Sequence, residues 1–172
     1  MTISKVEIDR LSVTSSKSFE AVLTALKSAI GRPDMVEFAN AIRNAQTFAE
    51  LERTVDQSLG NTGLMMFMEF DQGAILRKET GLDKPKIVRF VIGNPLIMKE
   101  MAKHVPDAGS YAPVTILVDE RPDGVHLTYD KMASLLAPYR NAEALAVARN
   151  LDSKIEILLR SAALGRLASY DS

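Results

Sequence analysis

The chain has 172 residues, 47% of them apolar and 25% charged, and no cysteine. That length suits a single domain over residues 1–172, able to bury roughly 70% of its unfolded surface. Lack of cysteine excludes disulfides, thiolate nucleophiles, thiolate zinc sites and iron–sulfur clusters, and a net charge of −1 supplies no basic stripe for nucleic acid.

The first ten residues alternate charged and apolar side chains and lack the apolar run of a signal peptide. No apolar run reaches the roughly 20 residues of a membrane span. The expectation is a cytoplasmic protein with no membrane contact.

Residues 5–15 read as a strand, with Val6 and Ile8 alternating against Lys5, Glu7 and Asp9. The apolar parity then flips to Leu11 and Val13, which predicts a bulge or bend near Asp9 and Arg10. Ser18 is the expected N-cap of a helix carrying Phe19, Val22, Leu23, Leu26 and Ile30, with Gly31 as its C-cap. A second helix is predicted from about Pro33, with Met35, Phe38, Ala39 and Ile42 on one face. A third starts at Thr47, where Thr47 and Glu50 have capping-box spacing. Phe48, Leu51, Val55 and Leu59 form its stripe, up to Gly60.

Residues 64–70 are almost continuously apolar, as in a strand buried on both faces. Asp71 is the expected cap of a short helix ending at Gly81, and residues 86–93 read as the next strand. Asn94 and Pro95 open a helix with Ile97, Met101 and His104 on one side. Residues 114–119 and 125–129 form a predicted hairpin around Pro122, Asp123 and Gly124. Asp130 is the expected cap of a short helix with Met132, Leu135 and Leu136. Asn141 caps the longest helix, with Ala144, Ala148, Leu151, Ile155, Leu158 and Ala162 as one apolar seam and a Glu156–Arg160 pair on the wet side.

No repeat, linker or low-complexity tract interrupts this series. Strands separated by helices early and paired directly later argue for an α+β fold. The expected form is a curved, mostly antiparallel sheet of about five strands, with the long C-terminal helix packed across one face.

The series resembles the family known as domain of unknown function 302. The resemblance rests on Glu69-Phe70-Asp71 and the short helix through Leu76 and Lys78 to Gly81, then on the strand running into Asn94-Pro95. Pro113 leading the next strand, the final amphipathic helix and Ser18-Phe19-Glu20 complete it. It implies a sheet of the TATA-binding-protein type in the order β-α-β-β-β-β-α, a tendency to form homodimers and no established activity. Two departures stand out. Members often place cysteines just before the Asn-Pro pair and just after the later Pro, where this chain has Gly93 and Val114. Residues 32–60 read as an inserted helical pair, whose short amphipathic helices offer a possible interaction surface.

Candidate site residues are few. Glu69 and Asp71 lie two apart on a strand and face one side, so with Lys78 they could form an acid–base cluster. The plainer reading makes Asp71 a cap and leaves Glu69 to solvent or to Lys78. His126 is a candidate base, but a protein with two histidines and no cysteine needs carboxylates to complete any metal site, and none is expected. Met66 and Met68 could line a pocket for a flat apolar ligand, with Asn94 and Tyr129 as polar accessories, although methionine also fills cores. Dinucleotide, phosphate-loop, serine-elbow and kinase patterns are all missing, so no cofactor is expected. The leading expectation is a non-enzymatic, dimerising module that binds a small ligand or partner between sheet and long helix. The rival is an enzyme built on Glu69, Asp71 and Lys78.

Overall fold

The computed structural model describes residue 3 and residues 5–166 of the chain. The N-terminal stretch read for a leader includes residues 1, 2 and 4, which lie outside the described residues.

β1 spans Arg10–Ser15 and not the whole of residues 5–15. Arg10 pairs with Asp130, the last residue of β5, so residues 5–9 have no strand left to pair with. The parity flip therefore marks the start of the strand and no bulge within it. α1 (Phe19–Ala29) is capped by Ser18, whose side chain accepts the Ala21 N–H at 3.3 Å. It ends at Ile30 in an extended conformation. Gly31 does not cap the helix: it bridges to Met65 and donates its N–H to the Leu64 carbonyl at 2.9 Å.

α2 (Met35–Asn44) is capped by Asp34, one residue beyond the expected start, because Asp34 accepts from the Val36 and Glu37 amides. α3 (Phe48–Ser58) follows its cap Thr47. Glu50 reaches back to the Gln46 N–H at 2.8 Å, which closes the capping motif one residue earlier than the simple box would.

β2 spans Met65–Asp71 and is an edge strand, not the doubly buried strand its composition suggested. The strand order leaves it unpaired on one side, and a bulge at Phe67 turns its later apolar residues to the uncovered face. Met66 opposes Ile92 on the covered face, while Met68 opposes Val91 and Phe70 opposes Arg89 on the other face. Met68 and Phe70 are each 45% exposed.

α4 (Gly73–Thr80) ends at Gly81, whose φ of 69° only glycine adopts without cost. Gln72 occupies its cap position, yet the Asp71 carboxylate still takes the Ala74 N–H at 3.0 Å. β3 is Ile87–Gly93 and α5 is Pro95–Ala102, capped by Asn94. α5 stops short of His104, which does not share its face. β4 (Val114–Arg121) and β5 (Gly124–Asp130) form the hairpin, with Pro122 and Asp123 as a two-residue loop. Gly124 opens β5 rather than sitting inside the turn.

Asp130 does not cap α6 (Met132–Leu136), since its carboxylate is engaged by Arg10. The cap comes from α7 (Ala142–Ala163): Asp152 accepts the Met132 and Ala133 amides at 2.8 and 3.1 Å. α7 itself starts at Asn141, and its predicted seam is buried throughout.

The five strands form one antiparallel sheet in the order β1-β5-β4-β3-β2. One face carries Val88, Phe90, Ile92, Ile116, Val118, Leu127 and Tyr129 into the core. α1 and α7 pack on that side, and α7 also contacts α5 and α6. The opposite face shows Arg89, Leu117, Thr128 and Ser12 in one row across four strands, each exposed or half-buried. Side-chain alternation thus gives the sheet one packed face and one uncovered face. No helix among the described residues is long and apolar enough to cross a membrane.

Candidate functional site

The bulge at Phe67 and the missing side chain at Gly93 open an apolar pocket at the flank of α7. Its volume is about 220 Å³, and its lining includes Phe67, Gly93, Ile97, Met98, Pro113 and Leu151. A Cβ at Gly93 would stand 3.3 Å from the Pro113 Cβ and 3.6 Å from the Phe67 ring, so glycine there keeps the pocket open. The space directly beneath α7 is filled by its own seam, which overturns the expected groove between sheet and long helix. Close packing closes that gap, since Ala144, Ala148, Leu151, Ile155, Leu158 and Ala162 are all buried.

Of the four expected ligand-binding residues, Asn94 alone lines this pocket. Its carboxamide is already engaged, donating to the Gly63 carbonyl at 3.1 Å and accepting the Leu96 N–H at 2.8 Å. Met66 is core and Met68 lies on the uncovered face. Tyr129 is 1% exposed, and its hydroxyl donates to Asp152 at 2.6 Å. Burial first, and the Asp152 carboxylate second, push its phenol well above its ordinary range. Phe67, Gly93 and Pro113 were missed as lining residues. The signal for them was the glycine at the end of a strand otherwise made of large residues.

The acid–base candidates occupy a separate, more polar cleft. Glu69 and Asp71 do face one side, toward the helical layer, opposite Phe90 and Val88. Each meets a cation: Lys27 Nζ lies 2.5 Å from Glu69 and Arg77 Nη2 lies 2.6 Å from Asp71. The Arg77 hydrogen bond holds the Asp71 carboxyl below the usual carboxylate range. Lys86 pairs with Glu20 across the same cleft at 3.2 Å. Lys78 is exposed on α4 and lines a different shallow hollow with Gly81 and Leu82. His126 sits on the uncovered face of β5, with Nε2 2.9 Å from the Asp123 carboxylate. The four catalytic candidates therefore do not converge. Among the described residues no group of three or more His, Asp or Glu side chains is arranged to hold a metal ion.

This architecture defines an α+β protein with an open five-stranded antiparallel sheet, backed by a long C-terminal helix. The family model described as "Domain of unknown function DUF302" matches residues 40–162, and the chain belongs to that family. The chain is similar in structure to an uncharacterised conserved DUF302 protein from Bacillus stearothermophilus, with a TM-score of 0.60 at 13% identity. That likeness covers 88% of this chain and 95% of the other, and at this identity it concerns the fold alone. No curated protein matches the chain.

Proposed function

We propose that this protein is a non-enzymatic, homodimeric binding module that holds a small apolar molecule in the pocket beside α7. The pocket carries the reading: about 220 Å³ of space is walled almost wholly by apolar side chains. An apolar cavity of about 150 Å³ already accepts a benzene-sized guest, so one ring or a short chain fits the volume. Asn94 has its principal hydrogen bonds satisfied within the protein, which favours an uncharged guest. The second copy is assigned to β2. This edge strand exposes Met68 and Phe70, and beyond the Gly31 bridge at Met65 its outer backbone has no strand neighbour among the described residues. Pairing β2 with itself about a two-fold axis makes a self-complementary contact.

Native mass spectrometry of gently purified protein, with a denatured sample alongside, reads both parts. The expected result is a dimer carrying an excess mass that denaturation removes. If the chain arrives bare, titration with toluene decides, followed by the methyl resonances of Met98 and Met101. Shifts of the Met101 methyl that vanish in Met98→Trp, which fills the pocket, support the reading. Unmoved methyls together with a bare chain sink it, and a bare monomer removes the second copy. The acid–base alternative predicts instead that Glu69→Gln and Asp71→Asn abolish turnover of a ligand found this way while leaving its binding intact.

A further inference from the structure

A second hollow, of about 400 Å³, lies on the uncovered face of the sheet and shares only Val114 with the apolar pocket. Arg89, Leu117 and Thr128 enter it as one row across β3, β4 and β5, and Thr115 stands two residues before Leu117 on the same face. Tyr111 and Leu135 line it from outside the sheet.

The charges in this hollow do not cancel. Arg10 and Asp130 also line it, but they are locked in a two-pronged pair at 2.6 and 2.9 Å. Asp119, the next acid along this face of β4, is held by Arg121 at 2.5 Å. Arg89 has no ion pair among the described residues, and its guanidinium donates from Nη2 to the Thr115 hydroxyl at 3.0 Å. A guanidinium has five N–H donors in a planar fork, so most of this one remains available. One uncompensated cation thus faces a hollow that also offers the Thr128 hydroxyl and apolar surface from Leu117 and Leu135.

We propose that this hollow binds small monocarboxylates with an apolar body, the carboxylate taken by Arg89. The guanidinium fork matches a carboxylate with two parallel hydrogen bonds. A single spare positive charge balances a monoanion. A phosphate dianion would bring a second negative charge close to Asp130 with no cation left to meet it. Leu117 and Leu135 provide contact for the rest of the molecule. The site is separate from the pocket beside α7 and stands or falls apart from it.

Benzoate is the probe, with benzamide as the uncharged analogue of the same shape, and backbone amide shifts in the full chain are the readout. Benzoate should move the amides of Thr115, Leu117 and Thr128. Benzamide, and benzoate with Arg89→Gln, should each bind about tenfold more weakly or worse. Arg89→Lys should fall between, because it keeps the charge but loses the fork. Added salt should weaken benzoate and leave benzamide unchanged. Arg89 is exposed, so its replacement leaves the core untouched. Equal affinity for benzoate and benzamide, undiminished benzoate binding to Arg89→Gln, or shifts confined to Asn94 and Ile97 would each overturn the assignment, as would no shifts at all with benzoate in the millimolar range.

Discussion

Asp152 has the most consequential single side chain in the fold. It is 6% exposed and accepts from the Tyr129 hydroxyl and from two amides at the start of α6. One carboxylate on α7 thereby ties together β5, α6 and α7. Removing it takes the acceptor from the buried Tyr129 hydroxyl and the half-buried Ala133 amide, and leaves the Met132 amide with the Tyr129 oxygen alone, at 3.2 Å. Asp152→Ala is expected to cost about 3–5 kcal/mol, whereas Tyr129→Phe, which removes one donor and keeps the helix cap, should cost about 1–2 kcal/mol. Urea unfolding at constant m-value measures both, and equal losses would contradict the shared role. Nothing in the sequence pointed to this residue. Asp130 stood in the usual place for a local cap, and a cap supplied from twenty residues away leaves no short-range pattern.

At the level of elements, the α2–α3 pair is fastened to the body by backbone more than by side chains. No residue of α2 is buried, and Val55 is the one buried residue of α3. Gly31 and Gly60 cross in van der Waals contact where the pair leaves and rejoins the core, and both donate to the Leu64 carbonyl at 2.9 Å. A Cβ at Gly31 would stand 2.7 Å from the Gly60 nitrogen, and one at Gly60 would stand 2.6 Å from the Ala29 carbonyl oxygen. Gly31→Ala and Gly60→Ala are therefore each expected to cost at least about 2 kcal/mol. Gly109→Ala, where a Cβ meets nothing within 4 Å, should stay within about 0.5 kcal/mol. Thermal unfolding of the three variants is the comparison. Equal melting temperatures would show that the crossing can relax. The two glycines were visible in the sequence as helix terminators. Their meeting was not, because a close approach between residues about thirty apart has no periodicity.

On the scale of the whole molecule, the sheet is packed on one side only. Ile116 and Leu117 are neighbours on β4, yet Ile116 is core and Leu117 lies on the uncovered face. Ile116→Ala is expected to lose about 2–5 kcal/mol, through lost burial and the cavity left behind. Leu117→Ala should lose less than about 1 kcal/mol. Chemical denaturation of the pair tests the layer arrangement, and similar losses would mean that both faces are covered. The same one-sidedness places the two proposed sites: the apolar pocket opens at the margin of the packed layer, and the Arg89 hollow lies on the bare one.

The sequence alone determined the element series, the helix starts at Ser18, Thr47, Asn94 and Asn141, the hairpin, the seam of α7 and the family resemblance. These follow from periodicity and capping, which act over a few residues. Tertiary structure decided that β2 is an edge, through the strand order, and that Met68 and Phe70 lie on the uncovered face, through a one-residue bulge that reversed their facing. It also separated Lys78 and His126 from Glu69 and Asp71, and gave those two carboxylates Lys27 and Arg77 as partners. The pocket beside Gly93 and the unpaired Arg89 belong to the same category. Each depends on which strands lie side by side, and strand order is set by long-range packing that no local pattern records.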